Sequence, residues 1–281
     1  MQILRSIAAC KRWRASQGGS VGFVPTMGAL HLGHLSLVQL SKQHCAKTIV
    51  SIYINPAQFS PNEDLGSYPK TLEQDLQCLK QEGADAAFVP TTQEMYAGKK
   101  DEYFFDCSLS YKLEGRSRPH FFTGVTTVVH KLFSIVQPTH TVFGKKDAQQ
   151  LLIIKKMIEQ NKYGIMLLEG PTVRSKNGLA FSSRNNYLSK EEKNTASNLF
   201  GGLQKIKKAL QGGEKNVKDL KLLFINHLNK ISGFKIDYIS IACKKTLDEI
   251  DSDVSGDVLV STAVLFKGIR LIDNFSYFPS T

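Results

Sequence analysis

Up to about Gly170, short apolar runs rich in β-branched residues alternate with segments whose apolar positions recur every three or four residues. Val21 to Pro25 reads as a buried strand, followed by a helix from about His34 to Cys45. Thr48 to Asn55 is a second strand, and the spacing of Leu72, Leu76 and Leu79 predicts a helix over Thr71 to Gln81. Ala86 to Pro90 gives a third strand, Gly124 to Val136 a helix, Thr141 to Phe143 a strand and Asp147 to Gln160 a helix. Strands alternating with helices imply parallel pairing through right-handed crossovers, hence an α/β, doubly wound, Rossmann-like domain. In such sheets a ligand sits outside the carboxyl ends of the strands, near the switch in strand order.

Beyond Gly170 the texture changes. Ser189 to Gln211 is a lysine-rich helical stretch closed by Gly212 and Gly213, and a further helix runs from roughly Asn216 to Asn229. Asp237 to Ala242, Asp257 to Phe266 and Ile269 to Asp273 then read as strands. Helices followed by strands predict a smaller α+β domain with an antiparallel sheet. The expected division is residues 1–173 and 174–281.

Composition removes several classes. With 42% hydrophobic and 22% charged residues, the chain is neither disordered nor collagen-like nor a coiled coil. No run approaches the roughly 20 apolar residues of a membrane span. Met1 to Arg14 carries Arg5, Lys11, Arg12 and Arg14 without an apolar core or small-residue cleavage site, so it reads as an amphipathic surface helix and not a signal peptide. Five scattered cysteines without CxxC spacing point to reduced thiols and a cytoplasmic protein. The net charge of +11 permits nucleic-acid binding, but the lysines are dispersed and no basic-aromatic cluster stands out. A basic solvated surface suited to anionic small molecules is the favoured reading, with no nucleic-acid or membrane partner.

Candidate chemistry concentrates in four segments. Pro25-Thr-Met-Gly-Ala-Leu-His-Leu-Gly-His34 takes a strand through a glycine-containing turn into a helix. The helix start offers backbone N–H groups and a positive dipole end, which suits phosphate. His31 and His34, three apart, share one face of that first turn and can donate hydrogen bonds to developing charge. Such a pair can also bind a metal, although no cysteine or third histidine lies nearby. In Gly178-Leu-Ala-Phe-Ser-Ser-Arg-Asn185, Ser182, Ser183 and Arg184 can contact phosphate oxygens, or form a helix cap beside a surface arginine. Gly144-Lys-Lys-Asp-Ala-Gln-Gln150 leaves a strand end with Lys146 and Asp147, and Asn55-Pro-Ala-Gln-Phe59 offers the Gln58 amide at another.

Together, in this order, the four segments resemble the pantothenate synthetase family of the HIGH-motif nucleotidyltransferase superfamily. Leu113-Glu-Gly, Arg118-Pro119, Gly124-Val125 and Leu271-Ile-Asp-Asn274 extend the resemblance over nearly the whole chain. It implies an AMP-forming ligase that joins pantoate to β-alanine through a pantoyl-adenylate, using ATP with Mg²⁺, and a homodimer formed through the N-terminal domain. Carried onto this sequence, Met27, Gly28, Ala29, Leu30, His31, Leu32, Gly33 and His34 line the ATP site. His34 is the proton donor and His31 stabilises phosphate charge. Gly144, Lys145, Lys146 and Asp147 meet the nucleotide, with Lys146 on phosphate, and Gly170 meets adenine through its backbone. Phe181, Ser182, Ser183 and Arg184 close over ATP from the second domain. The catalytic set is then His31, His34, Lys146 and Arg184. Gln58 and Gln150 hold pantoate, Arg118 belongs to a site cover, and the Mg²⁺ ligands stay unassigned. Lys145 departs from the family's usual glutamate. Phe121-Phe122, Ala57, Leu32, Phe181 and Gly170 also differ from its common residues.

Overall fold

A computed structural model describes residues 1–61, 63–96, 103, 105 and 107–279. Six strands form one sheet: β1 (Gln2–Leu4), β2 (Val21–Thr26), β3 (Lys47–Ile52), β4 (Ala86–Phe88), β5 (His140–Gly144) and β6 (Met166–Gly170). All pair in parallel, in the order β1-β4-β3-β2-β5-β6. Between them run α1 (Ile7–Ala15), α2 (Leu32–His44), α3 (Leu72–Gln81), α4 (Thr92–Tyr96), α5 (Glu114–Ser117), α6 (Phe121–Val136) and α7 (Ala148–Gln160).

Successive strand residues point to opposite faces, and both faces are apolar because both are covered. Phe23 and Ile49 enter a core shared with Trp13 of α1, Val129 of α6 and Ile154 of α7. Val24, Val50, Ala87 and Val142 enter the opposite core, against Leu37 and Val38 of α2 and Leu79 of α3. The chain steps outward from β2 to β3 and β4, then returns so that β5 pairs on the other side of β2. The strand order therefore reverses between β2 and β5, where a crevice opens at the carboxyl edge.

The C-terminal lobe packs α8 (Lys190–Ala196), α9 (Asn198–Gln211) and α10 (Val217–Leu228) on the antiparallel sheet β7 (Phe234–Cys243), β8 (Val258–Phe266) and β9 (Ile269–Tyr277). Leu199, Leu203 and Ile206 of α9 and Phe224 of α10 meet Val258, Val260 and Val264 of β8 in its core.

Local differences from the sequence reading have local causes. The N-terminal segment is not helical throughout: Gln2–Leu4 pairs with β4, burying Leu4, and the helix begins only after Ser6, whose side chain accepts from Ala9 N at 3.1 Å. β6 is an edge strand that periodicity did not reveal. The stretch from Ser189 divides at Ser197 into α8 and α9, with α8 opened by a reciprocal Ser189–Glu192 capping box. β3 stops at Ile52 because Asn55 caps a 3-10 turn with Pro56 at its start. All five cysteines are free thiols, and among the described residues no helix is long and apolar enough to cross a membrane.

Candidate active site

β2 ends in a turn that Gly28 enters at φ +80°, which glycine adopts without cost, and Ala29 at φ +48°, which its Cβ disfavours. Asp75, a buried residue on α3, holds this turn: its carboxylate accepts from Ala29 N at 2.9 Å and Leu30 N at 2.8 Å. The amides of Ala29 and Leu30, in the segment expected to line the ATP site, are thus taken by the protein, and Gly28 N is bonded to Thr26 Oγ1 at 3.2 Å. The first-turn N–H groups of Leu32 and Gly33 have no protein acceptor among the described residues.

His31 occupies the N-cap of α2 and His34 its first turn, and their rings stack at 3.9 Å. Neither buried Nδ1 has a partner among the described residues. Loss of water contact lowers His31 to about 2, with His34 and Lys146 adding like-charge repulsion. The same desolvation, with Lys146, lowers His34 to about 4. Both imidazoles are therefore neutral at pH 7 and each offers one N–H and one lone pair.

The second wall is built around Asn55. Its Nδ2 donates to Gln58 Oε1 and to Gly124 O, each at 3.1 Å, and its Oδ1 accepts from Tyr96 Oη at 2.8 Å. α6 lies so close that a Cβ on Gly124 would fall 2.2 Å from Ala57 O. Arg118 finishes this wall. Its Nη2 donates to Gln58 O at 3.0 Å, it forms a paired contact with Glu63 at 2.5 and 2.6 Å, and its guanidinium stacks over Phe121 at 3.7 Å.

Across the crevice, β5 delivers the Lys145–Asp147 turn, where Lys146 Nζ lies 3.3 Å from Asp147 Oδ1. The C-terminal lobe supplies the rest. Ser182 caps its own short turn by accepting from Arg184 N at 3.3 Å, and Ser183 Oγ donates to Ala29 O at 3.0 Å, joining the lobes. Arg184 forms a double contact with Asp64 at 3.0 and 2.8 Å. Desolvation works against the Arg184 cation, but the Asp64 hydrogen bonds outweigh it and hold its pKa above the ordinary value. Glu114 links the lobes as well, accepting from Tyr238 Oη at 2.9 Å and from Arg270 at 3.1 and 2.9 Å.

One cavity of about 280 Å³ joins these walls. Met27, His31, Gly33, His34, Gln58, Gly144, Lys146, Asp147, Gln150, Phe181, Ser182, Ser183 and Arg184 line it together, as do Arg118 and Phe121. Gly28, Ala29, Leu30 and Leu32 shape or flank the turn without lining the space, and Leu32 is exposed. Lys145 turns away to Glu169 on β6 at 3.7 Å, so the second cation beside Lys146 is directed out of the cavity. Gly170 lies behind the wall, where a Cβ would meet Leu37 Cδ2 at 2.1 Å. Glu114, Tyr238, Arg270 and Asp273 line the cavity although the sequence reading gave them no role. Glu114 and Asp273 were signalled only by membership of the Leu113-Glu-Gly and Leu271-Ile-Asp-Asn274 segments, and Tyr238 and Arg270 belong to neither.

Comparison with known proteins agrees with this architecture along the whole chain. The family model for pantoate-beta-alanine ligase matches residues 2–276. A pantothenate synthetase from Pseudothermotoga lettingae is 43% identical over 265 residues, covering 94% of this chain and 93% of its own. The one from Acetivibrio thermocellus is 41% identical over 277 residues, covering 98% of each. Among solved structures, pantothenate synthetase from Thermus thermophilus superposes with a TM-score of 0.94 at 37% identity, covering 99% of this chain and 100% of that one. The pantoate-beta-alanine ligase from Francisella tularensis, complexed with beta-gamma ATP and beta-alanine, gives 0.80 at 32% identity, covering 98% and 97%. With the match unbroken from the first strand of the parallel sheet to the last of the antiparallel one, the chain belongs to the pantoate-beta-alanine ligase family.

Proposed function

We propose that the cavity condenses (R)-pantoate with β-alanine at the expense of ATP, releasing AMP and pyrophosphate. One observation carries this reading: two neutral imidazoles, a lysine and two glutamine amides, from three separate strand ends, face one space roofed by the second lobe. A carboxylate is a poor acyl donor until one of its oxygens belongs to a good leaving group. In the first step a pantoate carboxylate oxygen attacks the α-phosphorus, the bond to the β-phosphate oxygen breaks, and pyrophosphate leaves. In the second, the β-alanine amine attacks the acyl carbon and AMP departs with the bonding pair. Neither step needs a covalent bond to the protein.

The walls divide this work. Lys146 neutralises phosphate charge as it moves to the leaving group, and Arg184 adds to this from the upper lobe. A neutral His34 donates its N–H to a phosphoryl oxygen without adding fixed charge, and His31 stacked on it holds the ring. Gln58 and Gln150 orient pantoate with paired donors and acceptors, so that the attacking oxygen is aligned before reaction. Asn55 and Arg118 hold Gln58 from side chain and backbone, which supports its assignment. Closure of the C-terminal lobe, residues 174–281, excludes water from an acyl-adenylate that would otherwise hydrolyse.

Among the described residues, no cluster of three or more His, Cys, Asp or Glu can hold a metal. That fits Mg²⁺ only as an ion carried by the triphosphate, with Asp147 as the cavity carboxylate available to it. When bound, it would neutralise phosphate charge. In this reading the chain acts in the cytoplasm as a homodimer formed through its N-terminal domain, and a single-chain mass in sedimentation would remove the dimer.

The test is an assay with ATP, Mg²⁺, pantoate and β-alanine, repeated with each substrate omitted. Pantothenate, AMP and pyrophosphate should form in equal amounts in the complete mixture, and absence of pantothenate there overturns the proposal.

A further inference from the structure

Among the described residues, Lys146 is the one lysine on the cavity wall, and the contact that holds its backbone comes from the other lobe. Asn274, on β9, donates from Nδ2 to Lys145 O at 3.1 Å and to Lys146 O at 2.7 Å. Those carbonyls belong to the two peptide units on either side of the Lys146 Cα. A single amide, with its two N–H groups, thus grips both peptide planes whose rotation aims the Lys146 side chain. Nearer at hand the turn has little else of this kind: Gly144 and Asp147 flank it with no side-chain cap.

Asn274 is itself held. Its backbone N–H donates to Asp273 Oδ1 at 2.8 Å. The buried Asp273 carboxylate is gripped in turn by Arg174 at 2.6 and 2.7 Å. Arg174 lies on the segment that leaves the N-terminal lobe, and its guanidinium stacks over Phe200 of α9 at 4.0 Å. The last strand of the upper lobe is therefore bonded to the chain where it enters that lobe and to the turn that carries the cavity lysine.

We infer that Asn274 is a positioning residue for Lys146, transmitting the seating of the C-terminal lobe to the lysine that meets phosphate. The inference rests on the role proposed above for Lys146 and goes beyond it in assigning the control of that lysine to the opposite lobe. With the lobe displaced, the two carbonyls lose their shared donor and the turn is free to re-aim Lys146, whose ammonium lies 3.3 Å from Asp147 Oδ1 while Asn274 holds it. With the lobe seated, the ammonium is fixed for the nucleotide.

A double-mutant cycle tests this. Asn274→Ala, Lys146→Ala and the double variant are compared with the unaltered chain, read as kcat/KM for ATP. Equilibrium affinity for ATP is measured in parallel, so that slow turnover in the Lys146→Ala background does not hide the comparison. Asn274→Ala should lower kcat/KM by roughly ten- to a hundred-fold, the loss expected when a catalytic group shifts by about an ångström. In the Lys146→Ala background the same change should cost less than about twofold, because the residue it acts through is gone. Isosteric Asn274→Asp, which turns an acceptor toward two carbonyls, should do at least as much harm as alanine while leaving the thermal midpoint near that of the unaltered chain. It also keeps the test decisive if the alanine variant folds poorly. Equal fold losses in both backgrounds, or an undisturbed Asn274→Ala or Asn274→Asp, would overturn the inference. A Lys146→Ala variant with unchanged ATP dependence would instead overturn the assignment of Lys146 on which it rests.

Discussion

Gly124→Ala should damage pantoate handling while sparing ATP handling. The added Cβ would lie 2.2 Å from Ala57 O, 2.6 Å from Ala57 C and 3.1 Å from Gln58 N, all backbone atoms with no rotamer through which to retreat. Ordinary carbon-to-oxygen contact begins near 3.3 Å, so helix and turn must separate by about 1 Å. The bond from Asn55 Nδ2 to Gly124 O, now 3.1 Å, stretches with them, and Asn55 also holds the Gln58 side chain. A displacement of that size in a substrate-orienting group costs on the order of a hundredfold in rate, and overpacking of this kind costs about 1–3 kcal/mol in stability. Steady-state kinetics with one substrate varied at a time measures the split. kcat/KM for pantoate should fall on the order of a hundredfold and the KM for ATP should change little, since the His31 and Lys146 walls do not rest on α6 at this point. An unchanged KM and kcat for pantoate in a folded Gly124→Ala protein would refute the argument that Gln58 is placed by this contact.

Arg174→Ala leaves the Asp273 carboxylate, 2% exposed, without its counter-ion and should cost about 3–5 kcal/mol in denaturant unfolding. Arg174→Met with Asp273→Asn, which removes both charges but keeps an acceptor for Asn274 N, should recover most of that loss; no recovery would mean that packing on Phe200 dominates. Asp75→Asn gives up a charge-assisted grip on two turn amides and should destabilise by roughly 2 kcal/mol while lowering kcat, because the turn carries His31; a drop in stability with full kcat would separate the turn from the chemistry. Acid should weaken the fold in a defined window. The unfolded chain protonates His31 and His34 below their ordinary value of 6.5, whereas the folded chain resists until about 2 and about 4. The contribution of the neutral rings is complete above pH 6.5 and declines as pH falls toward 4, with His31 continuing lower, by up to ~1.4 kcal/mol per unit for each ring. Unfolding at pH 7 and 5 should show a steeper loss in the unaltered chain than in His31→Gln with His34→Gln, and parallel losses would contradict it.

Much of the fold was legible because each central strand is an apolar run next to a helix with regular spacing. The strands that escaped are those for which this signal is weakest. β1 has three residues, and β6, Met-Leu-Leu-Glu-Gly, lies at an edge without β-branched residues. The candidate site was legible where its residues follow a strand end: His31, His34, Gln58, Lys146 and Gln150 all line one cavity. What remained hidden depends on partners far apart in the chain. Nothing near Ala29 indicates that Asp75 takes its amide, and nothing near Lys145 indicates that Glu169 draws it aside. Asn274 read only as part of a terminal signature, because its work is done 128 and 129 residues away. Ser182 does what the cap alternative foresaw, and Ser183 spends its hydroxyl on joining the lobes.

Every arginine on the cavity wall is already matched: Arg118 with Glu63, Arg184 with Asp64, and Arg270 with Glu114 and Asp237. The interior is thus close to internally compensated, and an arriving polyanion feels little pull from it at a distance. The surplus of +11 is carried by dispersed side chains, and its pull on an anion is unselective and reaches about 8 Å under physiological salt. An anion that is to pair with Arg118, Arg184 or Arg270 must compete with a carboxylate already in place, so its hold there is a difference between two ion pairs and not the strength of one.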